Sequence, residues 1–236
     1  MGLISLISLI SLSFGFLIYD FFSGLGSEEP DKITLIVGTK DNDVLEGGDG
    51  IDRIFGGTGN DTLSGGAGDD SIFGKEGNDF VIGGSGDDFL RGLADDDILI
   101  GGEGNDILHG DTGNDTIVGD SVITEAVFQE GFDILYGGSG DDDIWSGSGD
   151  IVNTGKGSDT VNLGEWVYPD NPVEITDFNT AEDVIIYNYS GDVDPIAIFD
   201  ETDGTPVLLV DESIIAKFPN NALSDFSEDN VIYLHS

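Results

Sequence analysis

The chain has 236 residues, of which 48 are Asp or Glu and 7 are Lys or Arg, for a formal net charge of -41. That balance excludes nucleic acid as a natural partner, because its binding rests on Lys and Arg neutralising phosphates, and it disfavours anionic membrane surfaces for the same reason. With no cysteine, disulfides, zinc–thiolate sites and thiol catalysis are excluded together, and a hard cation becomes the obvious source of stability.

Taken in chain order, the first element is Leu3 to Phe22, a run without Lys or Arg in which only Asp20 is charged. As a helix it is long enough to span a bilayer. Gly24-Leu25-Gly26 offers a small-x-small cleavage pattern, so residues 1–26 read equally as a membrane anchor or a signal peptide. Either reading predicts an N-terminal hydrophobic helix, anchoring through residues 3–22 if it is retained, and places the remainder of the chain outside the cytoplasm. Residues 27–37 form a linker and the N-terminal edge of the next element.

From Gly38 the chain becomes periodic. Glycine stands at 38, 47, 56, 65, 74, 83, 92, 101, 110 and 119, every ninth residue. In that frame the sixth position is Asp43, Asp52, Asp61, Asp70, Asp79, Asp88, Asp97, Asp106 and Asp115. The eighth is Leu45, Ile54, Leu63, Ile72, Val81, Leu90, Leu99, Leu108 and Ile117. One period shared by three residue types marks a stacked repeat and not a disordered acidic tract. Glycine permits the positive φ of a tight turn, one aliphatic residue per unit can point into a common core, and Asp is a hard oxygen ligand.

Units such as Gly56-Gly57-Thr58-Gly59-Asn60-Asp61-Thr62-Leu63-Ser64 and Gly101-Gly102-Glu103-Gly104-Asn105-Asp106-Ile107-Leu108-His109 resemble the RTX (repeats-in-toxin, hemolysin-type) calcium-binding nonapeptide. The resemblance implies an all-β fold, a right-handed parallel β-roll over 38–162. Six residues of each unit form a turn and three a strand, and two units make an 18-residue coil. Calcium would sit between successive turns on each edge, held by Asp side chains of neighbouring coils and by main-chain carbonyls. Counting at that spacing, Asp43, Asp61, Asp79, Asp97, Asp115 and Asp133 line one edge and Asp52, Asp70, Asp88 and Asp106 the other, which gives about eight ions.

The pattern falters from Gly119 to Val127, where Thr124 replaces Asp and Ala126 the aliphatic residue. Because Gly119 and Gly137 are one coil apart, this stretch reads as a degenerate coil that bulges and holds no calcium. Asp142 fits the frame again, the unit at Ser146 is one residue short, and Asp159 returns in a shifted unit; both acids are read as weaker ligands.

Residues 163–236 lose the repeat and carry β-branched runs at Val173 to Phe178, Val184 to Tyr187, Pro195 to Phe199, Val207 to Val210, Ile214 to Phe218 and Val231 to Leu234. Asp211-Glu212-Ser213 reads as a hairpin turn. A solenoid needs a cap for its last open coil, and this segment is predicted to be a C-terminal β cap. Ile175-Thr176-Asp177-Phe178-Asn179 and Asp229-Asn230-Val231-Ile232-Tyr233-Leu234 also resemble the C-terminal ends of RTX proteins exported by type I systems.

No catalytic constellation emerges. His109 and His235 are isolated, so there is no H-E-x-x-H zinc site, and no G-x-S-x-G elbow occurs. The resulting expectation is a bacterial protein, exported or displayed at the cell surface, that folds with calcium and acts as a structural or adhesive rod towards a surface or matrix partner. The alternative is a secreted RTX-type hydrolase or an accessory module of one.

Overall fold

The computed structural model describes residues 17–20, 33–120, 131–190, 195–221, 223–227 and 230–235. Its architecture follows from the nonapeptide. A typical strand, Thr62–Ala67, turns Leu63 and Gly65 inward and leaves Thr62 exposed, the two-residue alternation that a half-buried strand requires. The glycine-rich turn then reverses the chain, and the next unit builds its strand on the opposite side.

Strands therefore alternate between two facing parallel sheets. One contains Thr34–Val37, Asp52–Thr58, Ser71–Glu76, Phe89–Ala94, Ile107–Thr112, Ile134–Ser139 and Ile151–Lys156. The other contains Val44–Asp49, Thr62–Ala67, Phe80–Ser85, Ile98–Glu103, Thr116–Asp120, Asp143–Trp145 and Thr160–Gly164. The molecule is a parallel β-roll. Its core is two columns of eighth-position side chains, Ile54, Ile72, Leu90, Leu108 and Leu135 in one sheet facing Leu63, Val81, Leu99, Ile117 and Ile144 in the other, all fully buried. Each such side chain contributes roughly 1.5–3 kcal/mol on burial. Within a column the partners are in strict register, as Ile54, Ile72 and Leu90 show.

The degenerate stretch departs from expectation. Leu108 pairs with Leu135 and Ile117 with Ile144, a step of three nonapeptides instead of two. The strands before Asp120 and after Gly131 stack directly on one another, so the ladder skips one nonapeptide and no strand of an extra coil comes between them. The physical reason lies in Thr124 and Ala126: this unit brings neither a ladder carboxylate nor a core aliphatic, so the stack loses nothing by skipping it. Residues 121–130 themselves lie outside the described residues.

Both sheets continue past residue 162. Val173–Ile175 joins the first, Val184–Tyr189 and Val231–His235 extend the second, and the first ends in an antiparallel meander of Ser213–Lys217, Thr205–Val210 and Ala197–Thr202. The hairpin turn falls at Asp211 and Glu212, whose φ values of 48 and 69 match the two left-handed residues of a type I′ turn. Four phenylalanines, Phe178, Phe199, Phe218 and Phe226, pack their rings together over the last coil.

At the other end, Leu17–Asp20 pairs antiparallel with Thr34–Val37. This part of the expected N-terminal helix is thus a strand that covers the open edge of the first sheet; the rest of segment 3–22 lies outside the described residues. Among the described residues, no helix is long and apolar enough to cross a membrane.

Candidate metal centres

Each turn brings its sixth-position Asp to the edge of the roll, where the stacking of coils builds a ladder. The N–H of Asp61 donates to Oδ1 of Asp79 (2.8 Å), and the N–H of Asp79 donates to Oδ1 of Asp97 (2.8 Å). On one edge the rungs run Asp43, Asp61, Asp79, Asp97, Asp115, Asp142, Asp159 and Asp183. On the other they run Asp52, Asp70, Asp88, Asp106, Asp133 and Asp150.

All twelve aspartates expected as ligands lie on these two edges, but Asp133 changes sides. The sequence count pairs it with Asp115; in the structure it follows Asp106, whose N–H donates to its Oδ1 (2.9 Å), and Asp142 takes the place after Asp115. An odd number of nonapeptides between rungs exchanges the edges. Asp150 and Asp183 are rungs that the nine-residue frame passes over, because their units are of a different length. Both stand two residues before a buried aliphatic, Val152 and Ile185, and that Asp-x-aliphatic triplet is the signal that finds them.

The second carboxylate oxygen is the informative atom. Oδ2 of Asp52, Asp61, Asp70, Asp79, Asp88, Asp97, Asp106, Asp115, Asp133, Asp142 and Asp159 is buried without a hydrogen-bond partner. A buried polar atom left so is costly unless something else satisfies it. Burial, reinforced by neighbouring acids and opposed by the accepted N–H, pushes Asp88, Asp97 and Asp133 up to about 8, Asp115 and Asp159 to about 7, and Asp70, Asp79, Asp106 and Asp142 to about 6.

Eight of these orphan oxygens, those of Asp52, Asp61, Asp70, Asp79, Asp88, Asp106, Asp115 and Asp142, face a second oxygen. A Cβ placed on Gly56 would lie within 3.0 Å of both Asp61 Oδ2 and the carbonyl oxygen of Gly74 on the next coil, and the same pairing of Oδ2 with a next-coil carbonyl recurs at Gly47, Gly65, Gly74, Gly83, Gly101, Gly110 and Gly137. Only glycine leaves that space open. Carboxylate and carbonyl oxygens converging on a glycine-lined gap are the donor set of a hard cation, and calcium's six to eight oxygens can be drawn from two successive turns. Among the described residues no three acidic, His or Cys side chains gather at one point, so main-chain carbonyls would have to supply much of any shell.

A second ladder runs along the outer turns at the fifth position. Asn42 Oδ1 accepts the N–H of Asn60 (3.0 Å), Asp69 Oδ1 that of Asp87 (3.0 Å), and Asp96 Oδ1 that of Asn114 (2.9 Å). The nonapeptide pattern leaves this position variable, although a run of Asn and Asp stands there in the sequence. These side chains space the turns and so help set the gap between coils.

The model of the RTX calcium-binding nonapeptide repeat matches the chain in four copies, over residues 34–63, 46–81, 82–117 and 129–150. The protein carries RTX calcium-binding repeats. No curated protein matches it. Among solved structures, this RTX-repeat chain is similar to a subunit of a mannuronan C5-epimerase from Azotobacter vinelandii, at 20% identity over 60% of this chain and 80% of that one, with a TM-score of 0.34. It is also similar to an extracellular lipase from Serratia marcescens, at 16% identity over 87% of this chain and 40% of that one, with a TM-score of 0.33. Both likenesses are too distant to bear on activity.

Proposed function

We propose that the ladder aspartates bind calcium between successive coils and that calcium binding is coupled to folding of the roll. The observation that carries this reading is the buried, partnerless Oδ2 facing a next-coil carbonyl oxygen across a glycine. That arrangement occurs at eight glycines, from Gly47 to Gly137, and eight ions is the number we assign. Each ion would supply two positive charges to edges whose stacked carboxylates otherwise repel, and because the gap exists only when coils are stacked, binding free energy becomes folding free energy.

In this reading residues 38–162 are the calcium-binding roll, and 163–236 cap it and hold a type I export signal. Sites that draw largely on neutral carbonyls suit the roughly 0.1–1 mM calcium range of extracellular modules. We therefore place the protein outside the cytoplasm or at the cell surface, as a calcium-stiffened structural or adhesive element without a catalytic role of its own.

The test is a calcium titration of the full chain, followed by far-UV circular dichroism, with bound ions counted at saturation by native mass spectrometry. A coil-to-β transition that saturates with about eight ions is expected. A chain fully β-structured in chelator, or one that takes up only one or two ions, would overturn the reading.

A further inference from the structure

The interrupted turn holds a carboxylate that the nonapeptide does not require. Asp120 ends the strand Thr116–Asp120 in register with Gly102, so it occupies the second place of its turn, where the neighbouring coils have glycine. Its Oδ1 is buried without a hydrogen-bond partner. Its Oδ2 lies against Gly147 of the following coil, within 3.0 Å of where a Cβ on that glycine would stand. Asp133, after the interruption, is 1% exposed; its Oδ2 has no partner and faces Gly119, the residue bonded to Asp120, at a similar distance.

Asp150, the next rung, is already satisfied. Its Oδ1 accepts the N–H of Asp133 (3.0 Å), and its Oδ2 accepts the N–H of Gly147 (2.6 Å) and the hydroxyl of Ser146 (3.1 Å). Free oxygens on this stretch of the edge thus belong to Asp120 and Asp133, which bracket the gap between Gly119 and Gly147. The negative charges of Asp106 and Asp150 bear on both. Two carboxylates in a shared, desolvated environment cannot both stay ionised without a cation or a proton between them.

We propose that a calcium ion binds at this interruption, between Asp120 and Asp133, in a site that replaces the regular rung-to-rung arrangement. It rests on the calcium reading of the ladder but adds a ligand outside the repeat pattern and an ion at the place where the pattern fails. Hard oxygen donors from two carboxylates favour calcium over softer metals. The ion then ties Asp120, before the interruption, to Asp133, after it.

The experiment uses the full chain with calcium as the probe. Asp120→Asn keeps the shape of the side chain and removes its charge; Asp120→Ser serves if that variant fails to regain the wild-type dichroism in saturating calcium. One ion fewer than wild type by native mass spectrometry, with the β signal retained, is the expected result. An unchanged count would overturn the site. A wild-type chain that binds no calcium would overturn the underlying reading and this site with it, and is told apart because the wild type itself then fails.

Discussion

Asp97 and Asp183 hold equivalent rungs of one ladder, and the structure treats them differently. Asp97 accepts a single N–H through Oδ1, its Oδ2 is left without a donor, and burial pushes it to about 8. Asp183 also accepts the preceding rung, from the N–H of Asp159 (3.1 Å), but its Oδ2 takes the hydroxyl of Thr154 (3.1 Å) and the N–H of Asn179 (2.7 Å). Asp43 at the opposite end resembles Asp183, with its Oδ2 accepting the N–H and hydroxyl of Thr39. The interior rungs leave an oxygen open, while three of the four end rungs, Asp43, Asp150 and Asp183, are completed by the chain itself; the fourth, Asp52, has neither carboxylate oxygen partnered. On the calcium reading proposed above, stability is conditional in the middle and intrinsic at the cap, where aromatic packing replaces the thin aliphatic column.

The largest effect should come from removing the external partner. In chelator at neutral pH, amide exchange along 52–115 should lose its protection while Val184–Tyr189 and Thr205–Lys217 keep more of theirs. Uniform loss across both regions would show that the cap has no stability of its own and would break the comparison.

Protons offer the next test, since they can replace cations on the interior rungs. The carboxyls there are raised from 3.8 to between about 6 and about 8 in the fold, chiefly by burial. Protonation therefore favours the folded state: the contribution is fully present below about pH 4 and is lost as pH rises through 6 to 8. Chelated protein should gain β structure on acidification from pH 8 to 5, whereas calcium-loaded protein should lose ions over the same range because the ligands must be deprotonated. Dichroism against pH, with and without calcium, checks both slopes, and parallel slopes would contradict the account.

Single rungs sharpen the contrast. Asp79→Ala removes an oxygen from the gap at Gly74 and the acceptor of the Asp61 N–H, so it should lower the ion count by one or two. Asp183→Ala should leave the count unchanged and cost about 1–3 kcal/mol through the donors it strands. Native mass spectrometry with denaturant melts in saturating calcium separates the two, and an ion lost from Asp183→Ala would move the boundary between interior and end.

Much of this contrast could be read in the sequence. The phase of Gly, Asp and aliphatic residues set the core columns and the edge carboxylates, and the β-branched runs after residue 163 marked the cap strands and the turn at Asp211 and Glu212. What could not be read was parity. A nonapeptide that the ladder skips and a half-coil contribute the same nine residues, so periodicity alone cannot say on which edge Asp133 falls; only the pairing of Leu108 with Leu135 decides it. Asp150 and Asp183 escaped because a rung needs only Asp two residues before a core aliphatic, and the length of the turn before it is free to vary. The closed state of Asp43, Asp150 and Asp183 depends on Thr39, Ser146 and Thr154, hydroxyls that carry no periodic signal.

The smallest expected effect bears on how strictly the turns of the interior must be glycine. On one edge the second turn position runs Gly57, Lys75, Leu93, Asp111 and Gly138 in register, and the three side-chain residues keep the left-handed backbone of their glycine neighbours, with φ of 97, 89 and 76. An L-residue there costs roughly 1–2 kcal/mol. Leu93→Gly should therefore stabilise the calcium-loaded roll by about 1 kcal/mol, less the chain entropy that glycine adds to the unfolded state, with no change in ion count. Gly84→Leu at the matching place in the other sheet should destabilise it, because its Cβ would run into the carbonyl oxygen of Gly66. If Leu93→Gly is destabilising instead, contacts of the leucine side chain outweigh the strain, and the interior draws part of its stability from its outer turns as well as from its edges.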